Sequence, residues 1–232
     1  MRRIAASLFA VLVLVAPASA APPRPAELET TAGIIRWLNA YRFKPDPDGL
    51  TVIVGALSRS QAFKDPETSG AYVGFIAGVL SANPARAGEL IAKMLPIQPA
   101  DHWVLVRAIA YSDLPDWKEL LATFVDRMPT RRVMIDRYLD GKLPTLDQIA
   151  YAKKKDGMFD KLKDKFTADN DRKKPVEIVP SPELVDLLWG YYLATGCYAP
   201  IERIIKLLPG ANDKDNVDRL TVGSAAKFTL AS

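Results

Sequence analysis

Two stretches of the chain echo one another: VGFIAGVLSANPARAGELIAKMLP at residues 73–96 and WGYYLATGCYAPIERIIKLLP at residues 189–209. In each, a glycine near the start, Gly74 or Gly190, is followed ten residues later by a proline. Each stretch predicts an α-hairpin whose second helix begins at that proline, because proline is well tolerated in the first turn of a helix. Since glycine has no side chain, these positions also predict helices that approach closely.

The pattern extends to three paired segments, residues 67–96, 99–129 and 182–209, each with two apolar periodic runs and short connections. Such runs predict helices of about 10 to 15 residues. The prolines that punctuate the first two segments recur at offsets of 31 and 33 residues, within the range of helical repeat arrays. We therefore predict an all-α fold, either a short right-handed array of α-hairpins resembling an α-solenoid or an irregular helical bundle.

Further helices are predicted outside these pairs. Residues 30–43 space their apolar side chains along one face, with Thr30 or Thr31 as the N-cap. The run at residues 51–54 fits a strand or a buried helix, and the residues that follow it favour the helix. On two later helices the expected inward faces are Val133, Ile135, Tyr138 and Leu139, and Val217, Leu220, Ala225 and Phe228.

One hairpin resembles those of a known repeat family. The residues that carry the resemblance are Gly190, Leu193, Gly196, Tyr198, Ile201 and Pro209. In this order they resemble the hairpin of a degenerate tetratricopeptide-type or Sel1-like repeat protein, and the resemblance covers residues 67–129 and 182–209. It implies an array of helical hairpins that binds peptides or acts as a scaffold.

The N-terminus is typical of a secretory signal peptide. Residues 1–20 combine a short cationic start, an apolar run too short to span a bilayer, and small residues before a cleavage point near Ala20. We expect a periplasmic or secreted protein, with an uncleaved anchor as the alternative. A Pro-rich leader at residues 21–26 then precedes a single α-helical domain at residues 27–232, which contains a basic loop or helix insertion near residues 151–180.

Most of the positive charge belongs to that insertion. The net charge of the chain is +4, and residues 151–174, the Lys-rich segment, hold nine basic and five acidic side chains. Its candidate binding residues are Lys153, Lys154, Lys155, Lys161, Lys163 and Lys165. They would meet an anionic lipid surface or an envelope polymer. A solvated helix face with interleaved aspartates is the alternative, and the charge balance elsewhere argues against nucleic acid.

The chain contains none of the common catalytic or metal-binding motifs. With one His and one Cys, His102 and Cys197, it cannot build a His/Cys zinc site. His102 is interpreted as a capping or packed surface residue, and Cys197 as a small packed residue, with a reactive thiol as its alternative. We expect no metal, no cofactor and no catalytic residue.

The aromatic residues are the second candidate for binding. Trp103, Trp189, Tyr191 and Tyr192 lie on predicted helices of the hairpin series. Large rings at helical spacing usually pack in the core. On the concave face of a curved array they would instead contact a peptide or a partner helix.

Together, these patterns favour an exported helical protein that binds another protein of the cell envelope as a scaffold. Two alternatives remain open. One is an envelope enzyme that uses carboxylates, and the other is a peripheral protein that binds the membrane surface through the Lys-rich segment.

Overall fold

The computed structural model describes residues 28–149 and 181–231. Within these two ranges the chain forms ten α-helices and no β-strand, which confirms the all-α prediction. The helices are Thr31–Tyr41 (α1), Pro47–Arg59 (α2), Gly70–Ala82 (α3), Ala87–Met94 (α4), His102–Ala110 (α5), Trp117–Thr123 (α6), Arg132–Leu139 (α7), Pro182–Thr195 (α8), Ala199–Ile205 (α9) and Val217–Ala231 (α10).

Side-chain caps define where the first two helices begin. The Thr30 hydroxyl accepts a hydrogen bond from the Gly33 amide at 3.1 Å, as expected of an N-cap. Asp46 does the same for Gly49 at 3.1 Å, and Pro47 occupies the first turn of α2. α2 includes residues 51–54, so that ambiguous run is helical, as favoured from the sequence.

α3 is the central helix of the molecule. Each residue from 73 to 80 is buried, so the helix is surrounded by protein on every side rather than along one stripe. Neighbouring helices contact it from several directions. Phe75 packs against Trp37 and Tyr41 of α1, with ring centroids 5.4 and 5.1 Å away, and α5 lies along another side.

The most extensive helix contact is between α3 and α8. A Cβ atom added to Gly74 would lie 1.9 Å from the Leu187 carbonyl oxygen, and one added to Gly190 would lie 2.0 Å from the Ala71 carbonyl oxygen. The backbones therefore touch directly, in the kind of contact where Cα–H groups face carbonyl oxygens. The close approach expected from the two glycines is confirmed.

The contact also shows that the two helices run parallel. Gly70 lies beside Glu183, Gly74 beside Leu187, and Gly78 beside Ala194. Residue numbers therefore increase in the same direction along both helices. The first helices of the two similar stretches, α3 and α8, thus pack against each other.

The second helices of these stretches behave differently. α4 packs mainly against α2, whereas α9 packs against α8. The hairpin array and the repeat family stay predictions, since the helical content alone establishes neither.

An ion pair fastens α8 to α5. Arg107 Nη1 donates to Glu183 Oε1, and the two side chains are only 14% and 18% exposed. Arg107 Nη2 also lies 3.4 Å from the Tyr111 hydroxyl, which is 3.4 Å from that of Tyr138. Burial, followed by the nearby Tyr111, raises the pKa of Tyr138, so its hydroxyl is neutral at physiological pH.

Two expected inward faces were partly wrong. On α7, Ile135 and Tyr138 are buried but Val133 is 76% exposed, because residues two apart lie on nearly opposite sides of a helix. On α10 the buried side chains are those of Val222 and Ala226. There, Val217 and Phe228 of the expected face are 75% and 74% exposed.

The predicted signal peptide, the Pro-rich leader and the Lys-rich segment lie outside the described residues. Among the residues that are described, no helix combines the length and apolar character needed to cross a membrane.

The backbone contact at Gly74 gives a direct test. Gly74→Ala should lower the free energy of unfolding by about 3 kcal/mol, because the new methyl group would overlap the Leu187 carbonyl. Gly88→Ala on α4 is the matched control: its added Cβ meets only Leu120 Cδ1, at 3.7 Å, and alanine favours the helix by about 1 kcal/mol. Urea unfolding of both variants measures the difference. Equal stability of the two variants would show that the α3–α8 contact is not as tight as described.

Candidate functional site

The structure separates the four aromatic residues expected to form one binding face. Trp189 and Tyr192 lie side by side on α8, with ring centroids 5.8 Å apart. Tyr191 points elsewhere, and its hydroxyl lies 3.4 Å from the Ser112 carbonyl oxygen. Trp103, on α5, is only 9% exposed and lines a cavity that Trp189 and Tyr192 do not line. Burial raises the pKa of Tyr191, in keeping with a structural role.

Three residues that were not predicted as binding residues complete the face around Trp189 and Tyr192. The Tyr198 ring centroid lies 5.9 Å from that of Tyr192, and Arg42 and Phe43 directly follow the C-terminal end of α1. We call the five residues, Arg42, Phe43, Trp189, Tyr192 and Tyr198, the aromatic surface.

Arg42 joins the two sides of the aromatic surface. Its Cζ atom lies 4.5 Å from the Phe43 ring centroid and 5.0 Å from that of Tyr192, within the range of cation–π attraction. Its Nη1 donates a hydrogen bond to the Tyr192 hydroxyl. These contacts hold the Phe43 ring, which follows α1, and the Tyr192 ring of α8 around one guanidinium group.

A left-handed turn brings Tyr198 back to this face. Gly196 has φ 68°, a conformation that favours glycine, and its amide donates to the Tyr192 carbonyl to end α8. The Cys197 amide then donates to the Thr195 hydroxyl at 3.1 Å. The tight turn leaves Cys197 exposed rather than packed, contrary to the structural interpretation of this residue.

The aromatic surface is open to solvent at its edges and supported at its centre. Phe43 is 76% and Tyr198 69% exposed, whereas Trp189 and Tyr192 are half-buried. Trp189 Nε1 is buried and has no hydrogen-bond partner among the described residues. Trp, Tyr and Arg are the residues that dominate binding energy at protein interfaces, most often when they are partly enclosed. The surface has the composition and the exposure of such an interface.

The structure places His102 in the interior rather than at the surface. It is 6% exposed, and its Nε2 lies 3.1 Å from the Leu95 carbonyl oxygen, so Nε2 carries the proton and donates. In the described ranges, no three His, Cys, Asp or Glu side chains converge as a metal ion would require.

No protein-family model, curated protein or solved structure matches the chain. The assignment of a function therefore depends on the geometry of this surface.

The exposure of Phe43 and Tyr198 predicts that they contribute little to folding. The double variant Phe43→Ser/Tyr198→Ser should change the free energy of unfolding by less than about 1 kcal/mol, because surface substitutions away from packed features have small effects. Trp37→Ser is the contrasting variant, since Trp37 is 4% exposed and packs against Phe75. Thermal and urea unfolding should show that only the Trp37 variant is strongly destabilised. A comparable loss in the double variant would mean that the aromatic surface belongs to the core.

Proposed function

We propose that the protein is an exported helical scaffold that binds another protein of the cell envelope through the aromatic surface. The observation that carries the proposal is the exposure of Phe43 and Tyr198, 76% and 69%, beside the half-buried Trp189 and Tyr192. Export, cleavage near Ala20 and a periplasmic or secreted location belong to the same proposal and follow from the sequence of residues 1–20.

The contacts of Arg42 support a binding role over a mere apolar patch. Tyr192 is already held by a hydrogen bond and a cation–π contact before any partner arrives. A preorganised ring loses less conformational entropy on binding than a free one, so more of its contact energy is kept as affinity. A partner would lay apolar side chains on the rings.

The Lys-rich segment supports a second candidate function, attachment to an anionic lipid surface or envelope polymer. Nine basic side chains within residues 151–174 are the sequence feature behind it. The two functions are compatible, because the segment and the aromatic surface use different residues.

Site-specific photo-cross-linking tests the principal proposal. A benzoylphenylalanine placed at Phe43 or Tyr198 in cells that naturally produce the protein should form a cross-link to the same envelope polypeptide from both positions. Val133 is the matched control, because it is exposed to the same extent as Phe43, 76%, but lies on α7. Mass spectrometry identifies the attached protein.

Tyr192→Phe provides a second comparison, because it removes the hydroxyl that accepts from Arg42 while keeping the ring. It should weaken cross-linking from the benzoylphenylalanine at position 198 without affecting the fold. The proposal fails if no polypeptide is captured from positions 43 and 198, or if position 133 captures the same set.

A further inference from the structure

A cavity that shares no residue with the aromatic surface lies between the C-terminal end of α2 and the N-terminal end of α5. Its volume is about 470 Å³, within the range of small-molecule sites. Ser58 and Asp101 line it on the polar side, and Phe63 and Trp103 on the apolar side. No motif in the sequence marked these residues as a group.

Asp101 is the unusual residue of this cavity. It is only 7% exposed, and its Oδ2 accepts a 2.6 Å hydrogen bond from the hydroxyl of Ser58, which is itself 2% exposed. Ser58 Oγ in turn accepts a hydrogen bond from the backbone N–H of Gln98 at 3.2 Å. The hydrogen bonds from Gln98 to Ser58 and from Ser58 to Asp101 thus hold the carboxylate in one orientation.

Oδ1, the other carboxylate oxygen, accepts no hydrogen bond from the described residues and is not one of their fully buried atoms, so it reaches solvent through the cavity. Removing a carboxylate from water is costly unless donors replace the water. The start of α5 offsets part of that cost through the helix dipole. A cationic donor inside the cavity would satisfy the remaining oxygen.

Two cationic side chains also line the cavity. Lys64 is exposed, and Arg131 is held in place because its Nη2 donates to the Ala100 carbonyl. Neither makes an ion pair with Asp101 in the described structure. The cavity therefore offers one buried negative group together with positive groups that remain available to a ligand.

Besides its negative and positive groups, the cavity has an apolar wall that would contact an apolar part of a ligand. Phe63 is 1% and Trp103 9% exposed, so both are fixed by the surrounding core. Trp103 also lies beside Arg107, whose Cζ is 5.7 Å from a ring centroid of the indole. Apolar groups of a ligand would contact these rings.

We propose that this cavity binds a free amino acid with an apolar side chain. The ligand's ammonium group donates to Asp101 Oδ1, its carboxylate meets Arg131 and Lys64, and its side chain contacts Phe63 and Trp103. A simple anion would leave Asp101 unpaired and face its negative charge. A simple amine would leave the cationic groups unused. The zwitterion satisfies both signs of charge.

Three probes that carry the same isobutyl side chain separate these contributions. L-Leucine carries both charges, 3-methylbutylamine has only the cation, and 4-methylpentanoate has only the anion. Binding to the full chain is measured by calorimetry and by ligand-detected NMR at millimolar concentration. Leucine should bind most tightly, the amine about tenfold more weakly, and the anion not detectably.

Two variants assign the charges to residues. Asp101→Asn should weaken both leucine and the amine by at least about tenfold, since a charge-assisted hydrogen bond is lost. Asp126→Asn, an exposed carboxylate that does not line the cavity, is the matched control and should change nothing. Arg131→Gln should weaken leucine severalfold, toward the level of the amine, without weakening the amine, because Lys64 still meets the carboxylate and the amine loses only a repulsive charge.

The comparison of the three probes uses the unaltered protein, so it tests the proposal even if a variant does not fold. Failure of leucine to bind, tighter binding of 4-methylpentanoate, or leucine affinity unchanged by Asp101→Asn would each overturn the proposal.

Discussion

The direct contact between the backbones of α3 and α8 is the constraint on which the rest of the structure depends. Gly74 faces the Leu187 carbonyl and Gly190 faces the Ala71 carbonyl, at distances that leave no room for a Cβ atom. Two parallel helices more than a hundred residues apart in the chain are thereby held in one register. Apolar side chains flanking the glycines then pack on both sides, and their burial supplies most of the stabilising free energy.

Both proposed binding sites are positioned from this pair of helices. Phe75 of α3 holds α1 through Trp37 and Tyr41, and this places Arg42 at the end of α1 against Tyr192 of α8. α5 packs on another side of α3, and its N-terminal end carries Asp101 to the cavity. A shift between α3 and α8 would therefore move Arg42 and Phe43 away from Tyr192.

Local patterns in the sequence located the described helices, because caps and prolines act within a few residues. Five of these helices have seven to nine residues and are shorter than the 10 to 15 predicted. Local patterns also identified Gly74 and Gly190, although not that the helices bearing them would pair with each other. Only two of the five residues of the aromatic surface, Trp189 and Tyr192, were predicted, since Arg42 and Tyr192 are 150 residues apart and meet only through tertiary packing. Asp101 was overlooked for the same reason: its partner Ser58 lies 43 residues earlier, at the end of another helix.

Native-state hydrogen exchange tests the central claim most directly, because it reports the free energy at which each helix opens. If the α3–α8 contact holds the fold together, the buried amides of Gly70–Ala82 and Pro182–Thr195 should be the slowest in the protein. They should also open with one common free energy, equal to that of global unfolding. Exchange of α8 through a much smaller opening, while α3 stays protected, would contradict the account.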